Sequence, residues 1–333
     1  MFVRCLCVPL FFSIVLSLKL NYPIGGFINN LSIRTVSLTV FALLAFAGNS
    51  VLCRLALADG SIDAGSFTFI RLVSGLFVLM VLMKALSTQR ASLRDTSLPV
   101  KEQPKGSWLS AFLLFLYAVT FSYAYISLDT GIGALILFGA VQLTMVIYSI
   151  VKGARLNVIE WIGLLVAFTG FVYLVMPTLT TPSLHGFLLM LVSGVAWAFY
   201  TLRGKASSSP LVDTSYNFLR TAPWLCVLLI GMVLASRMGL TDVHFTPRGI
   251  VLAAISGGLA SGLGYAVWYM ALAGLSSSRA AVVQLLVPII ASLGGVIFAG
   301  ELMSMRLIIS SLLVLGGILM VVLGHQLLHR KTV

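Results

Sequence analysis

Phe67-Thr68-Phe69-Ile70-Arg71 and Tyr216-Asn217-Phe218-Leu219-Arg220 are one short phrase written twice, 149 residues apart. The match runs on, with Leu76, Val78 and Leu79 answered by Leu225, Val227 and Leu228. Beyond this the offset settles at 147: Phe121 pairs with Trp268, Ala124 with Ala271, Leu128 with Leu275, Ala134 with Ala281, Gly153 with Gly300 and Gly170 with Gly317. An aromatic-plus-Arg match could arise by chance. A collinear series at near-constant offset marks an internal duplication.

Both copies are built of hydrocarbon-compatible sequence. The 333 residues are 59% hydrophobic and 9% charged, with a mean hydropathy of +1.08, whereas a soluble domain is roughly a quarter charged. The apolar residues fall in blocks of about 19 to 24, the length of a helix crossing a ~30 Å hydrocarbon core, without the alternation of a β-barrel. The sequence therefore predicts an all-α membrane protein. Its ten transmembrane helices are expected at 36–57, 64–86, 108–127, 131–151, 156–176, 183–202, 212–235, 247–272, 279–299 and 302–324. Residues 36–176 form the first five-helix repeat and 183–324 the second, between an interfacial or poorly ordered extension (1–35) and a cytoplasmic tail (325–333). The 87–106 segment reads as a solvated connector.

The net charge of +12 has a topological explanation. With residue 35 in the cytoplasm, sixteen Lys and Arg fall on the inner side and five on the outer, as the positive-inside rule requires. Both termini are then cytoplasmic, and a bacterial inner membrane is the expected location. The basic residues are dispersed through loops and form no nucleic-acid groove. Cys5, Cys7, Cys53 and Cys226 show neither zinc spacing nor a disulfide framework. The four histidines read as loop or tail residues, and no Asp or Glu lies deep in a span. No catalytic residue, metal site or cofactor is expected: intramembrane serine proteolysis needs a histidine base and aspartyl proteolysis paired carboxylates within the bilayer. A non-transporting sensor or scaffold would need a soluble output domain, and the longest loop is about twenty residues by the span assignment.

Each half holds an odd number of spans, so the halves enter the membrane from opposite sides. Inverted repeats permit alternating access, in which rocking of one half against the other exposes a midplane site to each face in turn. The chain also resembles a known family at particular residues. Phe-x-Phe-Ile-Arg opening helix two, Gly48-Asn49-Ser50 in helix one and Gly300-Glu301 after helix nine are similar to the EamA-type branch of the drug/metabolite transporter superfamily. The resemblance covers 36–324 and implies a small-molecule transporter whose helices one, three, four, six, eight and nine surround a central cavity. Family members carry amino acids, nucleotide sugars, purines, cofactors or quaternary ammonium drugs. Two departures stand in the first half: Gly153-Ala154-Arg155 replaces a Gly-Glu-Arg loop, and Gly139-Ala140-Val141 stands where the second half has Leu286-Val287-Pro288.

The candidate substrate-binding residues are Asn49, Gln142 and Gln284, whose amides serve as interhelical glue or cavity hydrogen-bonders, and Tyr117, Trp197 and Tyr265, deep aromatics able to stack on a flat or cationic solute. Arg71 and Arg220, the repeat-related cations, are gating or structural candidates. Each lies within about two turns of a helix end, close enough to reach the headgroups. Pro288 is a candidate kink. Arg54 is expected to form a rim ion pair with Asp59 or Asp63, and Gly258 and Gly262 to allow close helix packing. The substrate expected is an amino acid or similar small metabolite, exported without proton coupling; an aromatic or cationic drug-like compound is the alternative. Lipid is the other partner. Small-residue helix faces suit a homodimer as well as internal packing.

Overall fold

The computed structural model describes residues 33–92, 106–153, 157–175, 183–204, 207, 209–239, 242–275, 280 and 283–329. Most of the expected N-terminal extension, residues 93–105 of the expected 87–106 connector and the end of the tail lie outside these. The described residues are helical almost throughout. The helices are α1 (Ile33–Leu57), α2 (Ala64–Ser92), α3 (Trp108–Ala124), α4 (Thr130–Val151), α5 (Val158–Val175), α6 (Leu184–Gly204), α7 (Pro210–Leu219), α8 (Ala222–Arg237) and α9 (Pro247–Ile255). A π-helical segment (Ser256–Leu263) then leads into α10 (Gly264–Leu272), followed by α11 (Leu286–Ala299) and α12 (Met305–His329).

Six of the resulting rods are long and apolar enough to cross a membrane, counting α7–α8 as one and α9–π–α10 as one; α3, α5, α11 and α12 contribute shorter apolar stretches. The protein is coated in hydrocarbon. Leu165, Phe168, Val227, Ile230, Ile297 and Phe298 are exposed, while Asn49, Arg71, Gln142, Glu160 and Gln284 are buried. This reverses the distribution of a water-soluble fold and suits a lipid solvent.

Local chemistry sets the boundaries. Ser107 caps α3 by accepting from the Ser110 amide, and Thr246 caps α9 ahead of Pro247 by accepting from Gly249. Gly300 ends α11 in the left-handed region at φ 65°, where a side chain would be strained. The seventh predicted span is broken between Leu219 and Ala222. Pro223 has no N–H to offer the Leu219 carbonyl and its ring crowds that turn. The second predicted span continues to Ser92 rather than 86. His185 lies in the first turn of α6, and His325 and His329 in the last turns of α12, so the first is a helix-end residue where a loop was expected, and the helix runs on into the expected tail.

Small residues bring particular helices together. A Cβ on Gly163 would lie 2.6 Å from the Gly317 carbonyl, and one on Gly170 2.8 Å from Leu313 Cβ, so α5 and α12 pack almost backbone to backbone. The approach of the π segment to α2 is closer still. A Cβ on Gly257 would fall 2.0 Å from both the Arg71 carbonyl and Ser74 Oγ, and one on Gly262 2.9 Å from the Gly75 carbonyl.

Candidate functional site

The contact between α2 and the π segment positions a buried cation. Arg71 is 1% exposed, so it does not take the route to the headgroups that its distance from a helix end allowed. Its Nε donates to Ser261 Oγ (3.0 Å), and its Nη2 to the hydroxyls of Tyr117 (3.0 Å) and Tyr265 (2.9 Å). The guanidinium also lies over the rings of Phe121 (4.7 Å) and Tyr117 (5.1 Å). Among the described residues, Nη1 has no hydrogen-bond partner. The described ion pairs are Arg54–Asp129, Arg54–Glu301 and Arg248–Asp59, none of which involves Arg71.

Tyr117 is the hub of this cluster. Its hydroxyl accepts from Arg71, from the Tyr265 hydroxyl (3.2 Å) and from Asn49 Nδ2 (3.3 Å). Asn49 Oδ1 in turn accepts from Ser256 Oγ at 2.6 Å. Trp197 packs on the rings of Tyr265 (4.6 Å) and Tyr117 (4.9 Å), and Phe46 meets Trp197 edge-on at 5.8 Å. Four of the six residues proposed from sequence as substrate ligands are therefore brought together with Arg71. Phe46, Tyr117, Phe121, Leu137, Phe138 and Trp197 line a void of about 10 Å³, room for a single water. In this conformation the centre is closed.

Gln142 and Gln284 form a second locus, where Gln142 Nε2 donates to Gln284 Oε1 at 3.4 Å. Pro288 sits three residues beyond Leu285, where the helix is interrupted, in the first turn of α11. Its missing N–H leaves the Gln284 carbonyl without the usual helical donor. Arg220 does not join the Arg71 cluster. It caps α7 and stacks over Trp108 at 5.5 Å, partly exposed.

Arg54 does not pair with Asp59 or Asp63. Its Nη2 meets Asp129 at 3.0 Å, its Nε meets Glu301 at 3.3 Å, and its Nη1 donates to the Tyr125 carbonyl at 3.2 Å. Glu301 also accepts from the Thr130 amide (2.9 Å) and hydroxyl (2.9 Å), sealing the N-terminus of α4, where a carboxylate is stabilised by the helix dipole. Asp59 instead pairs with Arg248, and Asp63 caps α2 through the Ser66 amide while accepting from the His244 amide. One face of the bundle is thus tied shut by charged residues from α1, the α3–α4 turn and the α11–α12 turn.

The π segment and its serines are what sequence reading missed. Gly258 and Gly262 were expected only to permit close packing. The available signal was the run Ser256-Gly257-Gly258-Leu259-Ala260-Ser261-Gly262, small and hydroxylic within an otherwise bulky span. Such composition tolerates the wider π turn, a feature recurrent at functional sites.

Comparison with known proteins identifies the frame. A solved crystal structure superposes with a TM-score of 0.57 at 18% identity, covering 86% of this chain and 98% of that one, which establishes a shared fold. An uncharacterized protein of Pseudomonas aeruginosa is 45% identical over 288 residues, covering 86% of this chain and 94% of the relative. Two uncharacterized transporters of Archaeoglobus fulgidus are 28% and 27% identical, covering 67% and 77% of this chain and 78% and 86% of their own lengths. The model of the EamA-like transporter family matches residues 184–323. These matches, with the apolar helices and the buried polar centre, place the chain in the EamA-like transporter family of the drug/metabolite transporter superfamily as a multi-pass membrane transporter.

Proposed function

We propose that this transporter moves a small polar metabolite, an amino acid or similar compound, out of the cell by alternating access between two inverted five-helix repeats. The bundle has ten spans, with a break in the seventh and a π-helical segment within the eighth, and both termini face the cytoplasm. The membrane is a bacterial inner membrane. One observation carries this reading: the buried polar centre is assembled from both halves. Asn49, Arg71 and Tyr117 come from the first, Trp197, Ser256, Ser261 and Tyr265 from the second. Rocking one half against the other must break these bonds and open the centre.

In this orientation the Arg54–Asp129–Glu301 cluster is the closed outer gate. The mechanism is facilitated exchange, since the described residues of the Arg71 centre include no carboxylate to carry a proton; buried Glu160 accepts from the Asn157 amide at 2.6 Å at the start of α5. The cationic-drug alternative is disfavoured by Arg71, because a second buried cation beside an unneutralised guanidinium is strongly repelled.

Reconstitution tests the reading. Purified protein in liposomes preloaded with an amino-acid mixture is expected to take up external labelled amino acid by counterflow, independently of an imposed pH gradient and with marked loss in Trp197→Ala. Absence of counterflow across a metabolite panel, from protein that still binds its members, would favour a sensor. A pH-gradient dependence that survives Glu160→Gln would remove the case for exchange.

A further inference from the structure

The hydrogen-bond inventory around Arg71 does not balance. A guanidinium carries five N–H donors and no acceptor, and it stays charged in a protein. Three of those donors are used, by Ser261, Tyr117 and Tyr265, and the two on Nη1 are not. The surrounding groups cannot correct this. No acceptor among the described residues reaches Nη1: the Tyr117 oxygen faces Nη2, Tyr265 and Asn49 instead, and Asn49 Oδ1 bonds Ser256 Oγ. Trp268, whose ring packs on Phe46 at 5.6 Å, adds an indole N–H that also lacks a partner among the described residues. The centre is therefore rich in donors, poor in acceptors and positively charged, deep in an apolar bundle. Buried groups of this kind are normally paired, and leaving them unpaired is costly.

We infer that Arg71 is the carboxylate-binding residue of the transport centre, and that the substrate is a small carboxylate-bearing compound with an apolar or aromatic body. A carboxylate supplies what the cluster lacks: a negative charge and acceptor lone pairs. One free NH2 face suits a single carboxylate oxygen, with the second oxygen able to accept from a tyrosine hydroxyl or Ser261 once Arg71 releases it. The remaining wall is Phe46, Trp197 and Phe121, suited to an apolar body. Closure to a one-water void follows naturally if the empty carrier collapses its aromatic wall onto the guanidinium, which the ring contacts at 4.7 and 5.1 Å partly shield.

This inference rests on the transporter reading, but its test separates the two. Unmodified purified protein is titrated with matched pairs, L-phenylalanine with L-phenylalaninamide and 3-phenylpropionate with 3-phenylpropionamide, while thermal stability and tryptophan fluorescence are recorded. The acid of at least one pair is expected to bind at least tenfold more tightly than its amide. Arg71→Gln, and separately Arg71→Lys, should abolish and weaken that preference; each must elute as the unmodified protein does in size exclusion. If a variant does not fold, the paired titration of unmodified protein still decides. Equal binding of acid and amide, tighter binding of the amide, or no binding of either acid overturns the inference. Counterflow with the same compounds is read separately. Flux of neutral or cationic solutes with no acid preference overturns the carboxylate site and leaves the transporter standing. Acid-selective binding without flux supports the site and counts against transport.

Discussion

At Arg71, α2 runs unbroken from Ala64 to Ser92 and lies against a segment of serines and glycines; at Arg220, the matched helix stops, and the guanidinium turns out over Trp108. The two arginines occupy equivalent places in the duplicated phrase, so the difference comes from what faces them. Opposite Arg71 stand Ser256, Gly257, Gly258, Ser261 and Gly262. At the repeat offset of 147 their counterparts are Leu109, Ser110, Ala111, Leu114 and Phe115. Gly257 and Gly262 let α2 approach to a distance that Cβ atoms would forbid, and Ser261 supplies a hydroxyl where the first half has Leu114. A buried arginine needs short, hydroxylic neighbours. Pro223, at the position matching Ser74, adds the second difference by breaking the helix beside Arg220.

This contrast can be broken most directly at the cations themselves. Arg71→Gln is expected to lower counterflow by about 100-fold, since groups hydrogen-bonded to a buried charge lose roughly 2–3 kcal/mol when it is removed. Arg220→Gln should stay within about threefold, as befits a partly exposed side chain. Comparable losses from both would mean that the repeats share the work and that the closed centre misrepresents it.

The next largest effect concerns the glycine contact. Gly257→Ala places a methyl 2.0 Å from the Arg71 carbonyl and Ser74 Oγ, and should destabilise the protein by about 1–3 kcal/mol, visible as a lower Tm in detergent. Gly48→Ala, where nothing lies within 4 Å of the added atom, is the control and should be neutral or slightly stabilising. Equal responses would show that α2 and the π segment do not touch as described.

Glu301→Gln weakens the Arg54 pair and the charge at the α4 N-terminus. A loss of about 1–2 kcal/mol is expected for this partly buried site, together with faster labelling of a cysteine placed at Thr130 on the gated face. The smallest change belongs to Trp108→Ala, which removes the stacking partner of Arg220 and should cost under about 1 kcal/mol in stability, with counterflow nearly unaffected.

Much of the frame was legible in the residues. Hydrocarbon length and the break residues placed nearly every helix within a few positions, because lipid demands internal backbone pairing and leaves little choice but helix. Asn49, Tyr117, Trp197 and Tyr265 were recognisable as polar or amphipathic groups deep in spans. The burial of Arg71 was not legible. Its distance from a helix end allowed a route to the headgroups, and the matched Arg220 takes the more exposed course. The partners of Arg54 were equally hidden, since Asp59 and Asp63 are near in sequence whereas Asp129 and Glu301 are near in space.

The sequence by itself determined the helical membrane character, the recurrence of the Arg phrase and the family resemblance, because these follow from composition, periodicity and offset along one dimension. Tertiary structure alone decided which copy of the Arg phrase became the centre. That choice depends on the side chains which cross from the other half to meet each arginine, and small glycine and serine residues meet only one of them.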